Sequence, residues 1–428
     1  TTTAPGFKLS FGAVWVLILL ASRLAHGRRR LSYLRQLTAM QFALLLGLMP
    51  LTVILFDRVA LAAPLVNLVA VPVFAVVTVP CALAGVLLGD ALQPIGDGLL
   101  WAAAASLQLA ETLVGRVAGM PLATATVASL EGWSQWWLLA PVVWVALPPG
   151  WPCRGLAWLA AAAIIAWLPP RPEPGCAAIS ILDVGQGLAV VVETSEAVLL
   201  YDTGPSYRGG GSAAESVVLP FLASRGVRAL DQLVVSHSDL DHSGGVETIL
   251  GALPVATVLV GERLGDDTGH RACRAGDGWL SGGIRFEFLH PPVVSGPAGN
   301  DASCVLQIRT GGFAVLLPGD IEREAEHALL REDALRPVAA VIAPHHGSAT
   351  SSSRGFVAAL RPSLVVVPAG FGNRWGLPDS EVVARWQAAG ARVETTADSG
   401  AIQFTVCWRD GIGPVTSQRD AQRRIWHE

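Results

Sequence analysis

Two imidazoles and two carboxylates fall within six residues, His237-Ser238-Asp239-Leu240-Asp241-His242, with Gly244-Gly245 just beyond. Left unliganded, such a cluster sets carboxylates against each other without a compensating cation, which is unfavourable unless water screens them. A polar surface loop is the bland alternative, and divalent-metal binding is the chemistry that these residue types at this spacing serve. The run Leu233-Val234-Val235 before the cluster reads as a buried strand that delivers its end to the ligand loop.

Two further strand ends carry matching groups. Phe313-Ala314-Val315-Leu316-Leu317 runs into Pro318-Gly319-Asp320, and Ala339-Ala340-Val341-Ile342 lies in a run ending at Pro344-His345-His346-Gly347-Ser348. An aspartate in the position of Asp320 can bridge two cations, one per oxygen, or it can cap a helix starting at Ile321-Glu322-Arg323. Of the paired histidines, one reads as a ligand and the other as a supporting residue.

The elements that position these groups follow a proline-rich linker, Pro169-Pro170-Arg171-Pro172-Glu173-Pro174-Gly175, which cannot continue a helix and sets a domain boundary. After it, strands are expected at Ala178 to Asp183, Ala189 to Glu193, Ala197 to Asp202, Gln232 to Ser236, Thr257 to Val260 and Arg285 to Leu289. Further strands are expected at Cys304 to Ile308, Ala314 to Pro318, Val338 to Ala343, Leu364 to Val367 and Ala401 to Val406. Helical patterns intervene at Ser216 to Arg225, Val246 to Leu253, Arg323 to Arg331 and Ser380 to Ala389. The layout is two sheets between helices, with ligands on loops at strand ends.

Composition divides the chain at the same linker. Up to Pro170 there are nine Lys/Arg and five Asp/Glu; from Arg171 onward there are 21 Lys/Arg and 29 Asp/Glu, so the balance changes from +4 to −8. Mean hydropathy is positive and the excess lies in the first part, which excludes an ordinary soluble protein. Apolar runs at Leu9 to Ser22, Leu37 to Phe56, Val59 to Gly89, Trp136 to Leu147 and Leu156 to Leu168 imply four to six membrane segments, since about 20 apolar residues cross a bilayer. Pro148-Pro149-Gly150-Trp151-Pro152 between the last two reads as a tight turn. These spans lie too far along the chain for a secretory signal. Thr1-Thr2-Thr3, without an initiating methionine, suggests a fragment of a longer membrane protein or a processed terminus.

Arg23, Arg28, Arg29, Arg30 and Arg35 place the first loop in the cytoplasm by the positive-inside rule, with Asp57-Arg58 outside. Val59 to Gly89 carries Pro64, Asn67, Pro72 and Pro80, and reads either as one kinked helix or as a broken helix bordering a polar cavity. Ala91 to Met120 is amphipathic; if it spans, the soluble half lies outside, and if it lies flat, inside. The six cysteines, Cys81, Cys153, Cys176, Cys273, Cys304 and Cys407, lack zinc spacing and read as free, mostly buried thiols rather than disulfides.

The order H-x-D-x-D-H-x-G-G, then G-D, then P-H-H-G-S resembles the metallo-β-lactamase superfamily, in the subgroup with Asp in place of the second His, as in ComEC-type competence DNA-uptake channels. Supporting strings are Leu182-Asp183-Val184-Gly185-Gln186-Gly187, Tyr201-Asp202-Thr203-Gly204, Asn300-Asp301-Ala302-Ser303-Cys304-Val305-Leu306 and Thr396 to Ile402. The membrane half resembles the same family at Pro5-Gly6-Phe7-Lys8-Leu9-Ser10-Phe11 and at Pro64-Leu65-Val66-Asn67 with Pro72. The resemblance implies an α-helical membrane bundle followed by an α/β domain, an αββα metallo-β-lactamase-like sandwich. Its parts would be a partial channel domain over 1–170, the sandwich over 171–410 and a polar tail over 411–428.

Carried over residue by residue, the resemblance implies two divalent cations, manganese or zinc. One is held by His237, Asp239 and bridging Asp320, the other by Asp241, His242, Asp320 and His346. Asp241, His345 and Ser348 form the implied catalytic set, with His345 and Ser348 on the phosphate or leaving oxygen. The middle histidine of the superfamily is absent: Asn300 and Ser303 stand there, and His290 is the nearest imidazole. Leu188 and Leu377 replace an Asp and a His usual in the family.

The implied function is uptake of transforming DNA across the bacterial inner membrane, with hydrolysis of the strand not transported. Membrane lipid and other competence proteins are the implied partners, and the resemblance implies that the soluble domain would lie on the outer face. A net acidic soluble half predicts weak DNA affinity of its own. Arg208, Arg225, Arg263, Arg271, Arg274 and Arg374 are the arginines that would line a groove. Alternatives are a channel whose soluble domain is non-catalytic, and a hydrolase of small phosphoesters.

Overall fold

Side chains in the second half of the chain alternate between two buried faces, and that alternation builds two stacked sheets. The computed structural model describes residues 5–24, 33–56, 58–89, 92–118, 120, 123–128, 136–138, 140, 142, 156–262, 269–292 and 299–421. The chain divides into two compact units, Thr1–Pro169 with Ala223–Gly226, and Pro170–Leu222 with Val227–Glu428.

In the first unit, Gln36–Phe56, Ala63–Leu88 and Gln93–Val117 are long and apolar enough to cross a membrane. The proline-bearing segment forms one continuous helix rather than a broken one, with a π-helical stretch at Phe74–Thr78 between Ala63–Val73 and Val79–Leu88. Pro80 offers no N–H to the preceding turn, and the wider π turn next to it accommodates the missing bond. Gln93–Ala118 is a single helix of span length. Arg28, Arg29 and Arg30 of the basic loop, Asp57 and the turn at 148–152 lie outside the described residues.

The second unit is an αββα sandwich. One sheet runs in the order Gly411–Ile412, Ile402–Cys407, Cys176–Ile181, Val190–Glu193, Val198–Tyr201, Leu230–Val235, Val255–Val260 and Arg271–Ala272. The other runs Arg392–Thr395, Leu364–Val367, Ala340–Ile342, Phe313–Leu317, Val305–Thr310, Ile284–His290 and Gly278–Ser281. Strand alternation sorts the cores. Leu199 and Tyr201 face Leu306, Ile308, Val315 and Leu317 between the sheets, whereas Val198 and Leu200 face the helices that begin at Ala214 and Val246. Leu316, Val341 and Val365 face outward onto Arg323–Arg331, Arg354–Leu360 and Ser380–Ala388. Such strands, buried on both faces, have near-continuous apolar sequences.

Val198–Tyr201 and Leu230–Val235 are parallel neighbours, as are Phe313–Leu317, Ala340–Ile342 and Leu364–Val367. Their carboxyl ends all open toward the same ligand loops, the edge where open sheets present their sites. Just beneath, the buried Tyr201 hydroxyl donates to the carbonyl of Cys304 at 2.6 Å and lies 3.3 Å from that of Leu317, spanning from one sheet to the other.

Two expectations are corrected. Four of the six cysteines are paired, Cys176 with Cys407 and Cys273 with Cys304. Cys176 and Cys407 are direct partners on adjacent antiparallel strands, an adjacency hidden by a sequence separation of 231. The sandwich also continues past residue 410, because Gly411–Ile412 and Thr416–Ser417 pair with Ile402–Cys407.

Candidate metal centre

The loop after Leu230–Val235 turns at once into the short helix Leu240–Ser243, which places Asp241 and His242 on consecutive helical positions facing the second sheet. Gly244 is required there, since a Cβ would lie 2.3 Å from the Ser206 amide nitrogen. Opposite, Gly187 adopts φ +133°, and a Cβ on it would meet the Asp241 carbonyl at 2.3 Å. The turn carrying the paired histidines is unusual: His345, His346 and Gly347 have φ of 49°, 53° and 75° in succession. This left-handed run costs free energy for the two non-glycine residues and separates two adjacent imidazoles, with ring centroids 6.2 Å apart.

His346 is thereby buried against the cluster. Its Nε2 lies 3.3 Å from Asp241 Oδ2, 3.3 Å from Asp320 Oδ2 and 3.3 Å from His242 Nε2. His242 Nε2 lies 3.2 Å from Asp320 Oδ2 and 4.0 Å from Asp241 Oδ2. Donor atoms bound to a single tetrahedral ion at about 2.0–2.2 Å are separated by roughly 3.3–3.6 Å, so Asp241, His242, Asp320 and His346 already stand near the spacing of one ion's ligands. Asp320 does not cap the following helix; Glu322 occupies the N-cap position of Arg323–Arg331.

The tautomers agree with that assignment. His346 Nδ1 donates to the Pro368 carbonyl at 2.8 Å, and His242 Nδ1 lies 2.7 Å from Asp202 Oδ2. Ser236 Oγ donates to Asp202 Oδ2, so at 3.0 Å it accepts from His237 Nδ1. In the neutral form that can bind a cation, each imidazole would turn a bare Nε2 toward the cluster. Among the described residues His237 Nε2 is buried without a hydrogen-bond partner, an atom whose burial a cation would offset.

The second set of donors is less complete. His237, His242 and Asp320 bring ligand atoms within 4.8 Å of one another, all buried. Asp239 Oδ2 is 3.7 Å from His237 Nε2, but its side chain is 58% exposed. Ser303, in the place of the absent middle histidine, stands behind the ring of His237 at 3.4 Å and also accepts from the Asp320 amide at 3.0 Å. His290 is elsewhere, bonded to the Asp301 carbonyl.

Charge in the cluster is tightly balanced. Burial opposes protonation of His242, yet Asp320 and Asp202 outweigh it and raise its pKa well above the usual imidazole range. Burial likewise opposes charge on His346, and Asp320 and Asp241 overcome it to raise the pKa to about 9. Asp320 is held well below the usual carboxylate range because His242 and His346 outweigh its burial. His237 is lowered by burial first and by His242 second. The acids attract positive charge to this place, and the residues present fit divalent cations.

Of the other candidate residues, His345 borders the cavity beside the cluster, and its Nδ1 lies 3.0 Å from Glu322 Oε1 and 3.2 Å from Thr350 Oγ1. The hydroxyl of Ser348 pairs with Thr350 Oγ1 at 3.0 Å, away from the ligand atoms. Leu188 is buried in the sandwich core, and Leu377 lines the cavity wall. Sequence reasoning overlooked the roles of Asp202, Ser236 and Glu322. Asp202 did stand in a quoted family string, and its value is that it fixes the ring of His242. Asp202→Asn is therefore expected to weaken metal binding by about 10- to 100-fold; competition against a chromophoric chelator measures this, and an unchanged affinity would refute the role.

Residues 1–152 match the family described as Competence protein, and residues 182–369 match the Metallo-beta-lactamase superfamily. The chain is 34% identical over 426 residues to Competence protein ComA of Neisseria gonorrhoeae, covering 97% of this chain and 57% of that protein. It is 38% identical over 226 residues to Recombination protein 2 of Haemophilus influenzae, covering 53% and 28%. Against ComE operon protein 3 of Bacillus subtilis it is 25% identical over 433 residues, covering 93% and 55%. At its longest matches the chain spans a little over half the length of these relatives.

Proposed function

From a chain that joins a competence-protein domain to a metallo-β-lactamase-superfamily domain, we propose a membrane component of DNA uptake whose sandwich hydrolyses phosphodiester bonds of the strand that is not transported. The observation that carries this reading is the buried meeting of His242, Asp320 and His346 with Asp241, at single-ion spacing and with the tautomers set. Asp241, His242, Asp320 and His346 would hold one divalent cation; His237, with Asp320 and the exposed Asp239, would hold a second, manganese or zinc in either case. Bound there, divalent cations supply activation of water at neutral pH and neutralisation of charge on a phosphodiester.

The chain's own residues do the rest. Asp202, Ser236 and the Pro368 carbonyl hold the ligand rings in orientation. His345, braced by Glu322, stands at the cavity edge where it can give a proton to a leaving oxygen, and Ser348 shares its hydrogen-bond network through Thr350. The membrane is the bacterial inner membrane, crossed several times, with the sandwich on its outer face. Two disulfides favour that side, because such bonds persist in oxidising compartments. The span-length helix Gln93–Ala118 favours it as well. DNA and other competence proteins are the partners.

Purified chain in detergent, loaded with manganese or zinc, is expected to degrade linear DNA, and Asp241→Ala to leave it intact. Metal-loaded protein that binds its ions but spares DNA would instead support a non-catalytic sandwich. Hydrolysis of a generic phosphodiester that DNA fails to inhibit would support a small-phosphoester hydrolase.

A further inference from the structure

We infer that the wall of the metal-site cavity is a stacking platform for unpaired nucleobases, formed by Trp375 and Tyr207. This deepens the phosphodiesterase reading and rests on it. The cavity, about 760 Å³, is lined by Asp241, His345 and His346 and also by Tyr207, Arg374 and Trp375. Trp375 is 56% exposed and Tyr207 44% exposed, so both rings keep area open to solvent beside the proposed ligands, that of Trp375 outside its contact with Arg374. Leaving such rings uncovered forgoes the free energy of burying them, which a ligand with its own flat apolar face would recover.

The platform is held in place. Asn373 Nδ2 donates to the Gly370 and Leu377 carbonyls at 2.9 and 2.6 Å, and Asn373 Oδ1 accepts from the Leu377 amide at 3.0 Å. These bonds close the loop that presents Trp375. Tyr207 sits in a tight turn whose amide donates to the Gly211 carbonyl at 3.0 Å. Arg374 lies over the Trp375 ring at 4.4 Å and places a fixed positive charge on the wall where a backbone phosphate would pass.

The chemistry selects single strands. In a duplex, each base face is covered by its neighbours, so only unpaired nucleotides offer a free face to an aromatic ring. The soluble half carries a net balance of −8, which gives little long-range attraction for the phosphates of a duplex. Affinity then comes from the bases, without regard to their identity.

The test uses the full metal-loaded chain in detergent and fluorescent oligonucleotides with uncleavable phosphorothioate linkages, read by anisotropy. A single-stranded oligonucleotide is expected to bind roughly 10- to 100-fold more tightly than one of equal length made wholly of abasic sites. Trp375→Ala and Tyr207→Ala should shrink that ratio toward one, and Trp375→Phe should retain it. Both side chains are exposed, so the variants keep their packing. Equal binding of abasic and base-bearing strands, or a ratio unaffected by both alanine changes, overturns the inference. If ordinary versions of both strands are nonetheless cleaved, the hydrolytic reading survives alone; a base preference without any cleavage sinks that reading and leaves the platform.

Discussion

Asp320→Asn is expected to lower phosphodiester hydrolysis by on the order of 10³-fold and to reduce the metal held after dialysis. The carboxylate is the shared member of both donor sets, reaching His242 at 3.2 Å and His346 at 3.3 Å, with its amide fixed on Ser303. Asparagine keeps the shape and removes the charge. Two positively polarised imidazoles would then face a neutral amide in a buried place, and the attraction for cations would fall with it. Asp239→Asn provides the contrast, because that side chain is largely exposed and touches only His237 among the ligands. Its effect is expected to be about tenfold or less. Steady-state rates on a labelled strand, paired with elemental analysis, check both; equal losses for the two variants would mean that Asp320 is not the hub.

The second large effect concerns stability. Converting Cys176 and Cys407 together to serine should reduce the unfolding free energy of the sandwich by about 2–5 kcal/mol, since the bond closes a very long loop. The two residues are cross-strand partners with Cα atoms 4.1 Å apart and join the first strand of the sandwich to its last long one. The thermal midpoint of the purified chain reports the change, and reductant should lower the wild-type midpoint more than that of the double variant. A wild-type midpoint indifferent to reductant would remove the bond's stabilising role and the strongest support for an outer-face location.

The proposed ligands were legible because each lies at a local transition from an apolar run to polar residues. His237, Asp241, His242, Asp320 and His346 all follow strands that the apolar runs predict. The residues that orient them were not, since Asp202 meets His242 from 40 positions away and Glu322 meets His345 across the intervening helix Arg323–Arg331 and strand Ala340–Ile342. Arg392–Thr395 escaped because an edge strand with alternating charge has no apolar run to mark it. The helix Arg354–Leu360 had a readable signal, Ser353 as N-cap before Phe356, Val357 and Leu360, hidden within a serine-rich stretch. The cysteine pairing depended on strand order, which no local pattern encodes.

Because His237, Asp241 and His242 hang from one sheet while Asp320 and His346 hang from the other, a bound ion acts as a rivet through both layers. Neither layer can grip it alone. The Tyr201 hydroxyl, set between the two just below, keeps the rivet holes aligned before anything fills them. Any slippage of one layer over the other would therefore show first as lost metal, well before the fold itself gives way.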